Sequence, residues 1–461
     1  MKLTLINHAS VLIEKDEFCF LSDPWYFGEV FNESWALEFD TPEKEIGKVL
    51  DKTTHLYISH EHPDHLHFPT LKKIVNKFKK KITLYIQDLP RKEVRDALKK
   101  IGFENIVEVK HRQFIKLTDN ISLYLYSVFP VDSACALIEK NKNDKKKVIL
   151  NCNDTELSNY DLKKIKSDLK NVDIILNQFS FATYNGNPDY KNQTEIQREH
   201  MIKSYIKEQK FFEADLSIPF ASFSYYCTTD NYVLNKYKTD LAELKKRLNL
   251  NNLNSNFLLP GDTIDLDRPN DFKERKLSEF EKAKNLKIKS DHKSLTEEEL
   301  KKSFYDCINH LNSCFPKFVV KIIKNFIIFC PDIKIYIEIN FKNKTFKRFD
   351  YKVKPDLIIN SQPLGYALAH SWGLNSLTIG GRLISLNKQK RLFFFRTLMA
   401  LSNSNIKLKL NINSLTSFKY LIKNLTRISF QAFAQIDSIF IHAQEYNKSI
   451  DKFLKKNKKI L

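Results

Sequence analysis

The sequence predicts an α/β protein in which a layered body of alternating strands and helices is followed by a smaller α+β region. Apolar segments at 55–60 and 82–88 are predicted as buried strands, and residues 68–81 between them carry apolar side chains at helical spacing. Strands and helices in this alternation are typical of layered α/β proteins. With 461 residues the chain is too long for one small core, so we expect more than one structural unit.

Three parts are predicted along the chain. Proline, glycine and aspartate cluster at 256–269, which marks the end of a first domain that we place at 1–268. Charged residues follow over 269–300 and predict a helical connector. Residues 301–461 form the α+β region, and its last residues make a basic tail that we expect to be solvated.

Two elements near the start of the α+β region can be predicted individually. Thr296 is followed by three glutamates and then by apolar residues at helical spacing, which predicts an N-cap and an amphipathic helix. Residues 317–330 are rich in phenylalanine, valine and isoleucine and are predicted as a strand.

Charge and composition limit the classes of partner and the compartment. The 75 basic and 55 acidic residues give a net charge of +20, which favours anionic partners such as nucleic acid, a membrane surface or a phosphorylated substrate. Lysine is abundant throughout the chain, so the charge reflects overall composition more than a binding patch, and we expect a small anionic substrate. The basic residues are dispersed and no nucleic-acid-binding module is recognisable, so a nucleic-acid partner is disfavoured. No apolar run is long enough to predict a membrane span, and the first residues do not resemble a signal peptide. Seven irregularly spaced cysteines do not suggest a disulfide framework, so we expect a cytoplasmic protein.

A group of metal-binding residue types begins at the end of the predicted strand at 55–60. Alternate residues of a strand point to the same side, so His60 and His62 can reach one ion, and the turn at Pro63 brings Asp64 and His65 nearby. Imidazole and carboxylate ligands suit zinc or iron. The alternative is a solvated histidine-rich turn. Four potential ligands between a strand and a helix favour a site for one or two divalent metal ions.

The segment "SHEHPDH" resembles the metal motif of the metallo-β-lactamase fold, an αββα sandwich. The segments "SDPWYFGEVFNESWAL", "VFPVDSACALIE", "ILNCNDTELSN", "IPFASFSYYCTTDNY" and "SWGLNSLTIGGRLISLN" resemble the CMP-N-acetylneuraminate hydroxylase family in order and spacing, up to about residue 400. That family hydroxylates a nucleotide-activated sialic acid with iron and with electrons from a partner protein. The resemblance therefore implies iron, a nucleotide-sugar substrate and an electron donor.

The resemblance also implies further site residues. Asp154 follows a predicted strand where the fold supplies a bridging carboxylate, and with Asp64 it is a candidate catalytic residue. The alternative for Asp154 is an N-cap or Asx turn before the next helix. Two histidines of the fold have no counterpart, since Phe129 stands at the place of one. Asp132 is the further metal-ligand candidate, with Cys227 or Asp230 as other substitutes.

The family carries a Rieske domain, which needs Cys-x-His and Cys-x-x-His pairs. The single Cys-x-x-His here, Cys307 to His310, lies in a predicted amphipathic helix and is interpreted as core packing. A separate Rieske or ferredoxin protein would then supply electrons.

Other side chains near the predicted strand ends are candidates for binding the substrate. For Trp25 the alternative, which we favour, is packing in the core or under a lid. The candidates for substrate contact are His8, Trp25, Gln178, Ser180, Ser222 and Tyr226.

Three functional interpretations stay open at this point. The first is an oxygenase-like enzyme that modifies a nucleotide-activated or phosphorylated sugar. The second is a hydrolase that cleaves a phosphoester, ester or amide with metal-bound hydroxide. The third is a non-catalytic metal-binding or nucleic-acid-processing protein.

Overall fold

The structure, a computed structural model, describes residues 1–78, 82–89, 92–128, 132–140, 145–184, 186, 188–289, 293–386 and 390–402. In chain order, the strands of its N-terminal part are β1 (Lys2–Asn7), β2 (Ser10–Lys15), β3 (Phe18–Ser22), β4 (Trp35–Leu37), β5 (His55–Ile58), β6 (Thr83–Gln87), β7 (Ile106–Val109), β8 (Gln113–Lys116), β9 (Ile121–Val128), β10 (Asp132–Lys140), β11 (Lys146–Asn153), β12 (Ile174–Gln178), β13 (Leu216–Phe220), β14 (Ser224–Tyr226) and β15 (Thr263–Asp265). The α-helices of this part are α1 (Glu43–Lys52), α2 (Phe68–Phe78), α3 (Glu93–Ile101), α4 (Asn159–Leu169), α5 (Tyr190–Phe212), α6 (Leu241–Leu250) and α7 (Leu277–Ala283).

Two mixed sheets form the centre of the N-terminal part. The seven-stranded sheet has the order β15-β1-β2-β3-β5-β6-β7, and the six-stranded sheet has the order β13-β12-β11-β10-β9-β8. Pairing is parallel from β3 through β5 and β6 to β7, and also from β11 through β12 to β13. Because parallel strands end at one edge, the loops that follow β3, β5, β11 and β12 lie at the carboxyl edges of the two sheets.

Apolar side chains fill the space between the sheets and under the helices. Leu5 and Phe20 of the first sheet join Leu125 and Leu176 of the second in one buried cluster. Helices α1, α2 and α3 cover the outer face of the first sheet, and α4 covers that of the second. The αββα sandwich predicted from the sequence is confirmed by this arrangement.

Local chemistry fixes where some of these helices begin and end. Ser158 caps α4 in a capping box with Asp161, whose backbone N–H donates to Ser158 Oγ at 3.2 Å. Gly102 ends α3 in the left-handed conformation, with φ of 110°. A side chain at Gly102 would also press on Val75, so the short distance between α2 and α3 requires glycine there.

The C-terminal part is a smaller unit with its own sheet and core. Its strands are β16 (Phe326–Cys330), β17 (Ile335–Asn340), β18 (Thr345–Phe349), β19 (Leu357–Ile358) and β20 (Ile384–Ser385), in the order β18-β17-β16-β19-β20. Its helices are α8 (Glu297–Cys314), α9 (Lys317–Val320), α10 (Ser361–Ala369), α11 (Gly373–Ile379) and α12 (Lys390–Ser402). Thr296 caps α8 as predicted, by accepting a hydrogen bond from the Glu299 N–H at 3.2 Å. The α+β class predicted for this region agrees with these elements.

Two predicted elements differ from the structure. Residues 317–330 form the short helix α9, a turn and then β16, because Pro316 sets up a helix start and the apolar residues Val320 and Ile323 both reach the core. Among its described residues, the connector predicted over 269–300 is helical at Pro269–Asp271, in α7 and at 297–300, where α8 begins. The domain boundaries themselves stay a prediction.

The segment 284–289 of the connector lies against the N-terminal part. The Asn285 N–H donates to Glu38 O at 2.8 Å, and the Lys289 N–H donates to Cys227 O at 2.7 Å. The predicted basic tail lies outside the described residues. Among the described residues, no helix is long and apolar enough to cross a membrane.

Candidate metal centre

The predicted metal-binding residues lie where the carboxyl edges of the two sheets meet. The turn after β5 carries His60 to His65, and Asp154 directly follows β11. Within the turn, the N–H of His65 and the N–H of Leu66 donate to His62 O at 3.0 and 2.7 Å. These bonds fold the turn back so that His65 faces the same space as His60.

Asp154 stands between two histidine rings at the centre of the site. Its Oδ2 lies 3.3 Å from His65 Nε2, and its Oδ1 lies 3.8 Å from His60 Nε2. The His60 and His65 rings have centroids 4.2 Å apart. One carboxylate therefore faces one ring nitrogen of His60 and one ring nitrogen of His65.

A second group of potential ligands lies on the His60 side. His60 Nε2 is 2.7 Å from His62 Nδ1 and 3.9 Å from Asp132 Oδ1. The potential ligand atoms of these three residues are all within 4.8 Å of one another. Asp132, at the start of β10, thus reaches the site from the second sheet.

A third group lies on the His65 side. Asp64 Oδ2 is 3.3 Å from His8 Nε2 and 3.5 Å from His65 Nε2. His8 lies in the turn between β1 and β2, so it enters the site from the first sheet. Together the three groups bring seven potential ligands into one cluster.

Several polar atoms of this cluster are buried without any hydrogen-bond partner. They include both ring nitrogens of His8, His65 Nε2, one oxygen of Asp64 and one oxygen of Asp154. Unpaired polar atoms of this kind are costly in a protein interior unless a ligand satisfies them. Imidazole nitrogen with carboxylate oxygen is a donor set that fits zinc or iron. The residues present therefore fit the divalent metal binding that the fold implies.

Asp23 fixes the orientation of one candidate ligand. Asp23 is fully buried, and its Oδ2 lies 3.0 Å from His65 Nδ1. The same carboxylate accepts from the Ser59 N–H at 2.8 Å and from Ser59 Oγ at 2.7 Å. A proton held on His65 Nδ1 leaves Nε2, which faces Asp154, free for a metal ion. Asp23 lies in the segment "SDPWYFGEVFNESWAL" that carries the resemblance, but it was assigned no role from the sequence, so this positioning contact was missed.

Four residues around the cluster have an unfavourable backbone conformation. His8, Asp23, Asn153 and Ala221 have positive φ angles of 38°, 35°, 55° and 52°. Residues that have a Cβ rarely adopt positive φ angles, and those that do are often found at functional sites. The Ala221 N–H donates to His8 O at 2.8 Å, which ties two of the strained turns together. The backbone therefore holds the turns in place even though their conformations are unfavourable.

Electrostatics favour a charged cluster on the His65 side. Burial by itself lowers the pKa of His65, but the carboxylates of Asp154, Asp64 and Asp23 outweigh burial and raise that pKa well above its ordinary value. Burial raises the pKa of Asp64, but His65 and His8 outweigh it and lower the pKa to about 2. Asp154 likewise keeps a pKa well below its ordinary value, because His65 and His60 outweigh its burial. In the metal-free protein, His65 is thus a cation among carboxylates.

The His60 side has the opposite character. Burial lowers the pKa of His60 well below its ordinary value, and the charge on His65 adds to the effect. Burial, with repulsion from Asp154, raises the pKa of Asp132 to about 7. A neutral His60 offers a lone pair to a metal ion without first losing a proton.

The remaining substrate-binding candidates lie near the cluster but have other contacts. Trp25 is fully buried, with its ring centroid 5.3 Å from that of His8, which agrees with the packing alternative. The Ser222 hydroxyl accepts hydrogen bonds from the N–H groups of Phe179 and Ser180, each at 3.1 Å. The Ser180 hydroxyl accepts from the Thr239 N–H at 3.1 Å. Both hydroxyls are thus used by the backbone, and their role in substrate binding stays a prediction.

Gln178 and Tyr226 also keep only a predicted role. Gln178 ends β12 at the same edge as Asp154 and is nearly buried. Tyr226 is buried against Trp35, with ring centroids 5.7 Å apart. Sequence reasoning placed His8 in the substrate group, whereas the structure places it within reach of Asp64, among the potential metal ligands.

The other substitutes considered for a missing ligand lie elsewhere. Cys227 contacts Glu33 O, and Asp230 forms an ion pair with Arg382. Phe129 lies outside the described residues. Cys307 of the Cys-x-x-His pair is packed in the C-terminal core, as predicted, with its Sγ 3.6 Å from Met399 Sδ. His310 is exposed, and its Nε2 lies 2.9 Å from Ser402 Oγ.

Comparison with known proteins agrees with the fold and with the resemblance. Residues 2–172 match the family described as "Beta-lactamase superfamily domain". The chain is 27% identical over 287 residues to the cytidine monophosphate-N-acetylneuraminic acid hydroxylase of Danio rerio, covering 57% of this chain and 46% of that protein. It is 28% identical over 194 residues to a putative Rieske 2Fe-2S iron-sulfur protein of Mycolicibacterium smegmatis, covering 40% of this chain and 35% of that protein. The chain thus spans less than half the length of these relatives.

Solved structures with a similar fold were also found. They include an isothiocyanate hydrolase from Delia radicum gut bacteria, with a TM-score of 0.43, 14% identity, and coverage of 58% of this chain and 99% of that one. A possible metal-dependent hydrolase from Veillonella parvula has a TM-score of 0.42, 12% identity, and coverage of 58% and 99%. Residues 2–172 are thus similar to the β-lactamase superfamily domain, and the sequence of the chain is similar to that of the cytidine monophosphate-N-acetylneuraminic acid hydroxylases.

Proposed function

We propose that this protein is a metal-dependent hydroxylase that acts on a small anionic substrate of the nucleotide-sugar type. The observation that carries the proposal is the position of Asp154, whose two oxygens face His60 and His65 at 3.8 and 3.3 Å. That geometry suits a carboxylate shared between two divalent ions. Similarity to hydroxylases of a nucleotide-activated sugar supports the reaction and the substrate class.

The seven clustered residues divide into two sets of donors around Asp154. His60, His62 and Asp132 would hold one ion, and His8, Asp64 and His65 would hold the other. Iron bound there would supply oxygen activation, whereas zinc would supply an acidified water molecule. Asp64 and Asp154 remain the candidate catalytic residues, because both carboxylates face His65 Nε2, at 3.5 and 3.3 Å.

The protein's own residues have defined tasks in this proposal. Asp23 holds the proton on His65 Nδ1, so that Nε2 stays directed at Asp154. Trp25 closes the side of the cluster next to His8 and excludes water there. Exclusion of water strengthens the interactions of charged groups in the site.

A hydroxylase also needs electrons from outside this cluster. Cys307 of the Cys-x-x-His pair is packed in the C-terminal core, so we do not assign iron–sulfur ligation to this pair. We assign the supply of electrons to a Rieske- or ferredoxin-type iron–sulfur protein. The match to putative Rieske iron-sulfur proteins supports this kind of partner.

Hydrolysis is the second candidate function. It is favoured by the donor set itself, because histidine and aspartate suit zinc as well as iron, and zinc-bound water attacks phosphoesters, esters and amides. In that case no electron donor or oxygen would be needed.

One experiment distinguishes the two functions. The purified protein is analysed for iron and zinc and is then incubated with a CMP-activated sialic acid, a reduced ferredoxin system, and either oxygen or an anaerobic atmosphere. The hydroxylase predicts iron, oxygen consumption and a product that has gained one oxygen atom. Zinc, together with cleavage of a phosphoester that proceeds without oxygen, would overturn the hydroxylase in favour of the hydrolase.

A further inference from the structure

The C-terminal part of the chain contacts a turn that lies directly beside the metal centre. Phe31, Asn32 and Glu33, between β3 and β4, form this turn and have φ angles of 53°, 56° and 56°. Three consecutive left-handed residues with side chains are unfavourable and persist only when their surroundings hold them. The turn therefore depends on contacts from other parts of the protein.

The Phe31 side chain links the turn to the metal centre. Its ring is buried and meets the His62 ring edge to face, with centroids 6.1 Å apart. On its other side the Phe31 ring packs against Trp35, with centroids 4.8 Å apart. A change in the turn would move the surface against which the His62 imidazole rests.

Arg382 of the C-terminal part holds the middle of this turn. Its Nη1 donates to Asn32 O at 3.2 Å, and its Nε lies 3.1 Å from Asp230 Oδ2. The Arg382 side chain is only 4% exposed. The guanidinium thus joins the C-terminal part, the turn and Asp230 in one buried contact, and a lysine at this position would lack the planar fork.

Neighbouring contacts act on the same turn. The side-chain amides of Gln362 and Asn32 exchange two hydrogen bonds, each at 3.3 Å. Asn231 donates to both Ser34 O at 2.9 Å and Gly380 O at 2.7 Å. A side chain at Gly380 would collide with Ser34, so glycine is required for this close approach.

The geometry points to Arg382 as a positioning residue of the metal centre, through which the C-terminal part holds the Phe31–Asn32–Glu33 turn and thereby the His62 ring. This inference rests on the proposed function, because it takes His62 as a metal ligand. It gives the C-terminal part a defined role, which is to complete the His62 half of the centre and leave the His8 half unaffected.

The test is a zinc titration of the metal-free protein followed by calorimetry, with Arg382→Lys as the main variant. We expect the affinity for one ion to fall about tenfold and the affinity for the other to stay unchanged, as for other outer positioning contacts. Arg348→Lys is the matched control, since Arg348 is half-exposed in the same part of the chain and pairs with Glu297. The milder variant Gln362→Leu should lower the affinity for the same ion by a smaller factor. It replaces Arg382→Lys as the test if Arg382→Lys does not fold.

A double-mutant cycle with His62→Ala separates positioning from general destabilisation. If Arg382 acts through His62, Arg382→Lys should cause no further loss of zinc affinity once His62 is absent. Equal affinities in wild type and in both variants, or an equal loss at both ions, would overturn the inference. A wild type that binds no zinc or iron would instead overturn the proposed function, and this inference with it.

Discussion

Replacing Asp154 with asparagine removes the negative charge at the centre of the proposed site without changing the shape of the side chain. Two unit charges 3.3 Å apart, the separation of Asp154 Oδ2 and His65 Nε2, attract by about 5 kcal/mol at an effective dielectric constant of about 20. Desolvation offsets part of this attraction. A divalent ion that replaces the proton on His65 raises the positive charge facing Asp154 by one unit, so an attraction of about this size is what Asp154 adds to metal binding. We therefore expect Asp154→Asn to cost about 3 kcal/mol of metal-binding free energy, which is roughly a 100-fold loss in affinity.

The structure also removes the alternative role of Asp154. If Asp154 capped the next helix, asparagine would replace it at almost no cost. That helix, α4, starts at Asn159 and is capped by Ser158. The capping explanation for Asp154 is therefore wrong.

The assay for Asp154→Asn is a competitive metal titration of metal-free protein, with metal stoichiometry measured on the same samples. Asp119→Asn is the matched control, because Asp119 undergoes the same chemical change while 93% exposed. We expect Asp154→Asn to lose one ion and nearly all activity, and Asp119→Asn to behave as wild type. An Asp154→Asn protein that keeps the full stoichiometry, with an affinity within about threefold of wild type, about 0.65 kcal/mol, would refute the reasoning.

Three further predictions concern protons, positioning and the C-terminal cysteine. The pKa of His65 is raised well above its ordinary value, so a metal ion must displace a proton from His65 when it binds. Metal affinity should therefore rise with pH, and calorimetry in two buffers should detect the released proton. A metal affinity that does not change between about pH 6 and about pH 8 would contradict this prediction. The raised pKa of His65 also means that His65 stabilises the folded, metal-free protein, and this stabilisation is complete at pH values below its unfolded pKa. The stabilisation is lost as pH rises through the folded pKa of His65. Asp23→Asn should lower metal affinity about 10- to 100-fold in a metal titration. It should also lower the free energy of unfolding by about 3 kcal/mol in urea unfolding. Wild-type values in both measurements would count against Asp23 as a positioning residue. Cys307→Ala should leave metal content unchanged, because Cys307 is packed against Met399, and a loss of iron on elemental analysis would show a ligand role instead.

Local sequence patterns predict much of the N-terminal fold and the centre of the site. The strand at 55–58, the histidine-rich turn and helix α2 lie consecutively in the chain, so spacing alone brings His60, His62, Asp64 and His65 close together. Asp154 was identified through the resemblance, because it directly follows a buried strand, β11, where the fold supplies a bridging carboxylate.

Contacts between distant parts of the chain could not be predicted from such patterns. His8 reaches Asp64 only because β1 and β5 lie in the same sheet. Arg382 and Asp230 are 152 residues apart, and neither has a local pattern that marks it as part of a buried ion pair. Such contacts depend on how the two parts of the chain pack against each other.

Some local predictions were incomplete because residue type does not reveal the hydrogen-bond partner. Ser180 and Ser222 are polar and lie at strand ends, as substrate-binding residues often do, yet their hydroxyls accept backbone N–H groups. Residues 317–330 have a composition typical of a strand, but the first of them form α9. Short apolar segments fit either a strand or a buried helix by pattern alone.

The most direct test of the account is the metal content of the wild type against a variant that carries both His60→Ala and His62→Ala. Both proteins are purified identically, checked for folding by circular dichroism, and analysed for iron and zinc. We expect the wild type to hold at least one divalent ion per chain and the variant to hold at least one fewer, because the variant lacks two of the three donors on the Asp132 side of the cluster. Equal metal content in two folded proteins would contradict the claim that this cluster is a metal centre.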